Sequence, residues 1–350
     1  MHFTRPLARP KNLLLCFDAF DTLYKPNITV PVAYAFAATR HGINCVTNTT
    51  ASKPVQEWKV EDCEPVFKAF KQSYRHEDTQ NPNYGKATGL GAEKWWANVI
   101  RGTFQPFLKS QQKVPETLIS ELLKRYSSRE GYDLFPDAKT FFDNLRTIRS
   151  QPTRSTRWKW NKIIVGVITN SDDRVPSVLS SFGLKVSPRR VGTSAQSFSE
   201  ATSEDDIDFV VLSYDVGYNK PDSRMFDAAG LLLSETLASA PSSSGLGSVD
   251  DYEKLYVGDS LTKDYLGARK AGWHAVLIDR MREKGQESGK KGERRPALDT
   301  KRMEVNGQPW NVRLVRGLDE LVNWHPKNKS TSEPMSTSWF KSGDGSESKA

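Results

Sequence analysis

Cysteine is scarce. Only Cys16, Cys45 and Cys63 occur in 350 residues, with neither the spacing of a metal-ligand set nor the even count of a disulfide framework, so reduced thiols in an intracellular protein are expected. Long apolar runs are missing too. None approaches the ~20 residues that a membrane helix needs, so the chain is read as soluble, with no membrane partner. Histidine is thin, and His41, His76 and His274 show no ligand spacing. There is no internal repeat, no basic helix with interleaved aromatics and no zinc-finger spacing. The net charge of +8 therefore carries no nucleic-acid reading. Much of the excess falls in "RMREKGQESGKKGERR" (Arg280 to Arg295) and in the C-terminal tail, which read as solvated. The first residues, "MHFTRPLARPKN", are basic but lack the apolar core of a secretory signal, and they are short for a mitochondrial presequence. The expected compartment is the cytoplasm, with the nucleus second and the mitochondrion behind both.

What the chain does have is enough apolar sequence, 37%, for a proper core. Five strand-like runs stand out: "NLLLCF" from Asn12, "IIVGVIT" from Ile163, "FVVLS" from Phe209, "KLYVGD" from Lys254 and "HAVLID" from His274. They are continuous rather than alternating, as in strands buried on both faces of a parallel sheet. Helical patterns lie between several of them, including "DAKTFFDNLRTI" and "DSRMFDAAGLLL". The repetition predicts a doubly wound, Rossmann-like α/β core. Between Lys25 and about Phe135 the chain shows helical stretches only, so an all-helical cap inserted after the first strand is predicted. The expected organisation is a core of residues 1–24 and 136–325, a cap of 25–135, flexible loops at 239–251 and 282–295, and a disordered tail at 326–350.

In doubly wound sheets, functional groups gather beyond the carboxyl ends of the strands. Asp18 follows the first strand here. Thr169, Asn170 and Ser171 follow the second, in "VITNSDD". Lys220 lies after the third, in "SYDVGYNKPDSRMF", and Asp259 and Asp264 come after the fourth, in "GDSLTKD". A carboxylate can attack phosphorus in line, hard oxygen ligands suit Mg²⁺, and a lysine supplies countercharge. Trp95 and Trp96 are further candidates for a pocket in the cap, although adjacent helical aromatics more often divide between core and surface.

The order Asp, Thr, Lys, Gly-Asp-x-x-x-x-Asp resembles the four motifs of the haloacid dehalogenase superfamily, most of whose members are phosphatases. The predicted insert falls where that superfamily carries its helical cap. The stretch "NPNYGKATGLGAEKWWANVI" is similar to fungal members of the haloacid dehalogenase-like hydrolase domain-containing protein 3 group. The resemblance implies Asp18 as nucleophile, with Thr169 and Lys220 beside it as catalytic groups. It implies Thr22, Asn170 and Ser171 as substrate-binding residues. Mg²⁺ would be held by Asp18, the Phe20 carbonyl, Asp259 and Asp264, and the substrate would be a small phosphate ester.

The first motif departs from the family pattern Asp-x-Asp-Gly-Thr. Here it reads Asp18-Ala19-Phe20-Asp21-Thr22, with Phe20 at the acid/base position and Asp21 where glycine is usual. A phenylalanine keeps a carbonyl for the metal but offers no proton, and general acid–base catalysis typically contributes ~10²–10⁴-fold. If the segment is extended, neighbouring side chains oppose one another and Asp21 points away from the site. Three functions are thus expected, in this order: a slow Mg²⁺-dependent phosphatase, a silent binding protein of the same fold, and a metal-independent 2-haloacid dehalogenase. The dehalogenases read Asp-Ala-Tyr-Gly-Thr but lack the Gly-Asp present here at Gly258 and Asp259.

Overall fold

The computed structural model describes residues 12–150, 160–193, 202, 204–241, 244–281, 298–305 and 307–326. Residues 1–11 of the expected core, the expected loop at 282–295 and nearly all of the expected tail lie outside these. In chain order the elements used below are β1 (Asn12–Phe17), β2 (Tyr24–Pro26), α1 (Val30–Arg40), α2 (Glu64–Gln80), α3 (Ala92–Phe104), α4 (Glu116–Arg125), β3 (Tyr132–Leu134), α5 (Pro136–Ser150) and β4 (Ile163–Thr169). They continue with α6 (Val175–Ser181), β5 (Phe209–Leu212), α7 (Ser223–Ser239), β6 (Tyr252–Gly258), β7 (His274–Ile278), β8 (Asp299–Val305) and β9 (Gln308–Val315).

The main sheet runs β5-β4-β1-β6-β7-β9-β8, parallel throughout except for the β8–β9 hairpin at one edge. β1 is central, with Leu15 opposite Val165 on one side and Leu255 on the other. Its side chains explain why the sequence showed no polar alternation. Leu13, Leu15 and Phe17 feed the cluster on one face, Leu14 and Cys16 that on the other, and all five are sealed. Phe17 meets Phe141 and Phe142 of α5 edge-on, with ring centroids 5.3 and 6.3 Å away. Truncating such a side chain to alanine costs ~3–5 kcal/mol. All three cysteines are free and buried, and burial pushes Cys45 and Cys63 up to about 11.

The predicted doubly wound core is therefore present, with its five strands where the apolar runs placed them. Two features of the sheet structure were not foreseen. β8 and β9 form an edge hairpin in which β8 is charged and exposed while β9 buries Val312, Leu314 and Val315. In addition, the stretch between β1 and β4 is not purely helical, because β2 and β3 pair antiparallel where the chain leaves and re-enters the core. Between them α1 to α4 make the helical layer over the carboxyl edge of the sheet. The small-residue segment 239–251, expected to be flexible, is tied down over its second half. Asn12 Nδ2 and Tyr252 Oη both donate to the Leu246 carbonyl, and Ser248 and Asp251 form a capping box.

No helix among the described residues is long and apolar enough to cross a membrane.

Candidate active site

The strand order reverses direction at β1, with β4 and β5 on one side and β6 and β7 on the other, which defines a crevice at the carboxyl ends of β1 and β6. Asp18 stands at the end of β1, its backbone N–H donating to Val257 of β6. Its Oδ1 receives the Ala19 N–H at 2.8 Å and lies 2.9 Å from Lys220 Nζ. No donor reaches Oδ2 from the described residues, so that oxygen is free to act.

Lys220 is almost completely enclosed and holds three oxygens at once: Asp18 Oδ1, Asp264 Oδ1 at 2.8 Å and Tyr256 Oη at 2.7 Å. Burial alone would push the lysine down, but Asp18 and Asp264 outweigh it and lift the group above its ordinary value. Asn170 positions the loop that carries this lysine. Its Oδ1 accepts from the Lys220 N–H at 2.6 Å and its Nδ2 donates to the Lys220 carbonyl at 3.1 Å.

Asp264 is sealed and Asp259 is exposed beside it. Carboxylate oxygens of Asp18, Asp259 and Asp264 lie within 4.8 Å of one another. Asp264 is held by the Ser260 N–H at 2.9 Å, across one turn of a π-helix (Leu261–Leu266). The preceding Gly258 is required by contact: a Cβ there would sit 2.4 Å from the Asp264 carboxyl carbon. Burial, then the charges of Asp18, Asp264 and Asp21, push Asp259 up to about 6. Crowded hard oxygens under mutual repulsion are a donor set that a small divalent cation relieves. These residues fit Mg²⁺.

The remaining residues of the predicted set divide. Thr169 ends β4, buried, and its hydroxyl has no partner among the described residues. The next helix starts six residues on, at Val175, after the loop from Asn170 to Arg174. Ser171 lines the cavity described below. Thr22 is fully buried, its hydroxyl unpartnered, and it does not line that cavity. The expectation that Asp21 points away fails at its premise. The chain after β1 is a turn, not a strand, with Leu23 and Tyr24 N–H both donating to the Ala19 carbonyl and Asp21 at φ +53°. That left-handed position is the one at which the resembling motif carries glycine. The Asp21 carboxyl is also raised, by burial first and then by Asp18.

Phe20 packs its ring against Tyr24 and Tyr132, with centroids 5.0 and 5.5 Å away. It lines a cavity of about 220 Å³ between the sheet edge and the helical layer, together with Tyr34, Tyr84, Trp96, Asn170, Ser171 and Arg174. The adjacent tryptophans of α3 divide between two environments. Trp95 is fully buried and donates to the Asn81 carbonyl, whereas Trp96 faces the cavity. Trp96 Nε1 donates to Asp172 at 2.7 Å, Asp172 receives Arg174 through two nitrogens at 2.8 Å, and the guanidinium stacks on the Trp96 ring at 4.4 Å. Sequence reasoning missed Tyr256, Asp172 and Arg174. Asp172 adjoins Ser171 in the quoted motif and Arg174 follows directly after the motif's last residue, and that closeness in the chain was the available signal.

The fold and these groups define a doubly wound α/β protein with a carboxylate–lysine site at the carboxyl edge of its sheet, beneath a helical layer. A family model for haloacid dehalogenase-like hydrolases matches residues 13–272, and the chain belongs to that family. It is 26% identical to the haloacid dehalogenase-like hydrolase domain-containing protein 3 of Bos taurus over 265 residues and to that of Homo sapiens over 266, covering 76% of this chain and 81% of each relative. A solved HAD phosphatase from Thermococcus onnurineus overlays with a TM-score of 0.41 and 18% identity, covering 89% of this chain and 95% of the other.

Proposed function

We propose that the protein is a Mg²⁺-dependent phosphatase of small phosphate monoesters, restricted to leaving groups that depart without a proton. The observation that carries the reading is the enclosed contact of Lys220 with Asp18 and Asp264, with Asp259 alongside. Lys220 and the Ala19 N–H fix Asp18 Oδ1, which leaves Oδ2 to attack phosphorus. The Asp18–phosphorus bond forms as the ester P–O bond breaks, and the electron pair leaves on the ester oxygen. Water then cleaves the aspartyl phosphate, returning the carboxylate and releasing inorganic phosphate. Asp18, Asp259, Asp264 and the Phe20 carbonyl would hold Mg²⁺, which supplies charge neutralisation and a template for the phosphoryl oxygens. The Thr169 hydroxyl is a free donor for one of those oxygens. Phe20 supplies no proton, so alkyl phosphates are poor substrates.

Hydrolysis of 4-nitrophenyl phosphate with and without Mg²⁺, in the wild type and in Asp18→Asn, tests this. Metal-dependent turnover lost in the variant supports it. Chloride release from 2-chloropropionate without metal would favour dehalogenation instead. No turnover on either would favour the silent binding protein, the reading that Phe20 keeps open.

A further inference from the structure

The cavity beside the carboxylate site holds three unpartnered donors. Arg174 gives Nε and Nη2 to Asp172, and its Nη1 has no acceptor among the described residues. Tyr34 and Tyr132, 3% and 6% exposed, line the cavity and have no hydrogen-bond partner among those residues either. Neither of their oxygens is sealed off as that of Tyr126 is. All three groups line the same cavity; burial pushes both phenols up, and the Arg174 charge acts on each in the opposite sense. Buried donors left unmade cost free energy, so this wall is complementary to an acceptor. The acceptor it fits is neutral. Asp172 already compensates the guanidinium in a two-point ion pair and is itself enclosed, so a carboxylate would meet no spare charge.

The other walls are apolar, with the rings of Phe20, Tyr84 and Trp96 on one part and Val30, Ile100, Leu122 and Leu123 on another. A volume near 220 Å³ is below the ~300–1,000 Å³ of pockets for drug-sized ligands, so one ring fits and a nucleotide does not. Phe20 links the two ends of the site. The residue that removes the acid also forms the aromatic wall, so one side chain selects an aryl leaving group and dispenses with its protonation.

We propose that the leaving group is a small aromatic or heteroaromatic alcohol, its ring held by Phe20, Trp96 and Tyr84 and a neutral ring-edge acceptor bound by Arg174, Tyr34 and Tyr132. This rests on the phosphatase reading above. The test separates the two by measuring binding with benzylphosphonates, which cannot be hydrolysed. In calorimetry on the Mg²⁺-loaded protein, 4-acetylbenzylphosphonate should bind more tightly than benzylphosphonate. The 4-carboxybenzyl and cyclohexylmethyl compounds should bind more weakly than the acetyl one. Tyr34→Phe and Tyr132→Phe should each weaken the acetyl compound by about 2- to 10-fold, the scale of one hydrogen bond, and leave benzylphosphonate unchanged. Cyclohexylmethyl binding equal to benzyl, or tyrosine variants that weaken every ligand alike, overturns the assignment. If the binding order holds but the corresponding aryl phosphates are not cleaved, the pocket stands and the phosphatase reading falls. If 4-nitrophenyl phosphate is cleaved while no ring compound is preferred, the pocket falls alone.

Discussion

The carboxylate end of the site and the aromatic end touch at Phe20, yet they are assembled differently. At the carboxylate end, every group lies on a parallel strand or in the segment that follows one, and charge decides the geometry: Lys220 sits among Asp18, Asp264 and the Tyr256 hydroxyl with almost no solvent. At the aromatic end, residues as distant as Tyr34, Trp96, Tyr132 and Arg174 are collected by helices and a two-stranded ribbon, and packing decides the geometry. The first end fixes which bond can break. The second fixes what that bond is attached to. Damage to one should therefore leave a signature that damage to the other does not.

The largest effect should come from Lys220→Met. It leaves two carboxylates facing each other in an enclosed site, and breaking a buried pair in this way costs ~3–5 kcal/mol. Denaturant unfolding should show that loss, and aryl phosphatase activity should fall at least ~10²-fold. A variant as stable and active as wild type would mean the charge cluster does not organise the site. Next comes Phe20→Asp, which restores a proton donor at the junction. Turnover of alkyl phosphates such as glycerol phosphate should rise by ~10–10³-fold, while ring binding at the aromatic end weakens. Unchanged alkyl turnover would show that Phe20 is not the missing acid.

A smaller effect concerns pH. Asp259, pushed up to about 6 from an ordinary 3.8, holds its proton more tightly in the folded than in the unfolded protein. Metal-free stability should consequently decline as pH rises through that interval. Mg²⁺ relieves the same repulsion, so it should raise the melting temperature by a few degrees at about pH 7.5 and scarcely at about pH 5, where protons compete. An equal rise at both values would count against Asp259 as a ligand. The smallest effect is that of Asp21→Asn. Its charge is one of those lifting Asp259, so the pH at which the Mg²⁺ response fades should move down, with aryl turnover near wild type. Loss of turnover would instead make Asp21 the acid.

The two ends also differ in how far the sequence revealed them. Asp18, Lys220, Asp259 and Asp264 were legible because each follows an apolar run, and a parallel sheet brings strand ends together whatever lies between. The same logic recovered the five core strands and the helical insert. Tyr34 and Tyr132 were not legible, because helix packing and the β2–β3 ribbon rather than chain order make them neighbours. Asp21 was misread for a related reason. Alternation was assumed past the end of β1, where a left-handed turn had already begun. β8 escaped because an exposed edge carries charge at positions that a buried strand fills with apolar residues, and β9 because only its second half is buried.

Gly258 carries a consequence in heredity. Any codon change there that yields a side chain places an atom about where the Asp264 carboxyl already is. One nucleotide could therefore disable this centre while Asp18, Lys220, Asp259 and Asp264 all remain encoded. A descendant gene silenced in that way would keep its full complement of charged residues, and its inactivity would be written only in the loss of a hydrogen atom from a glycine.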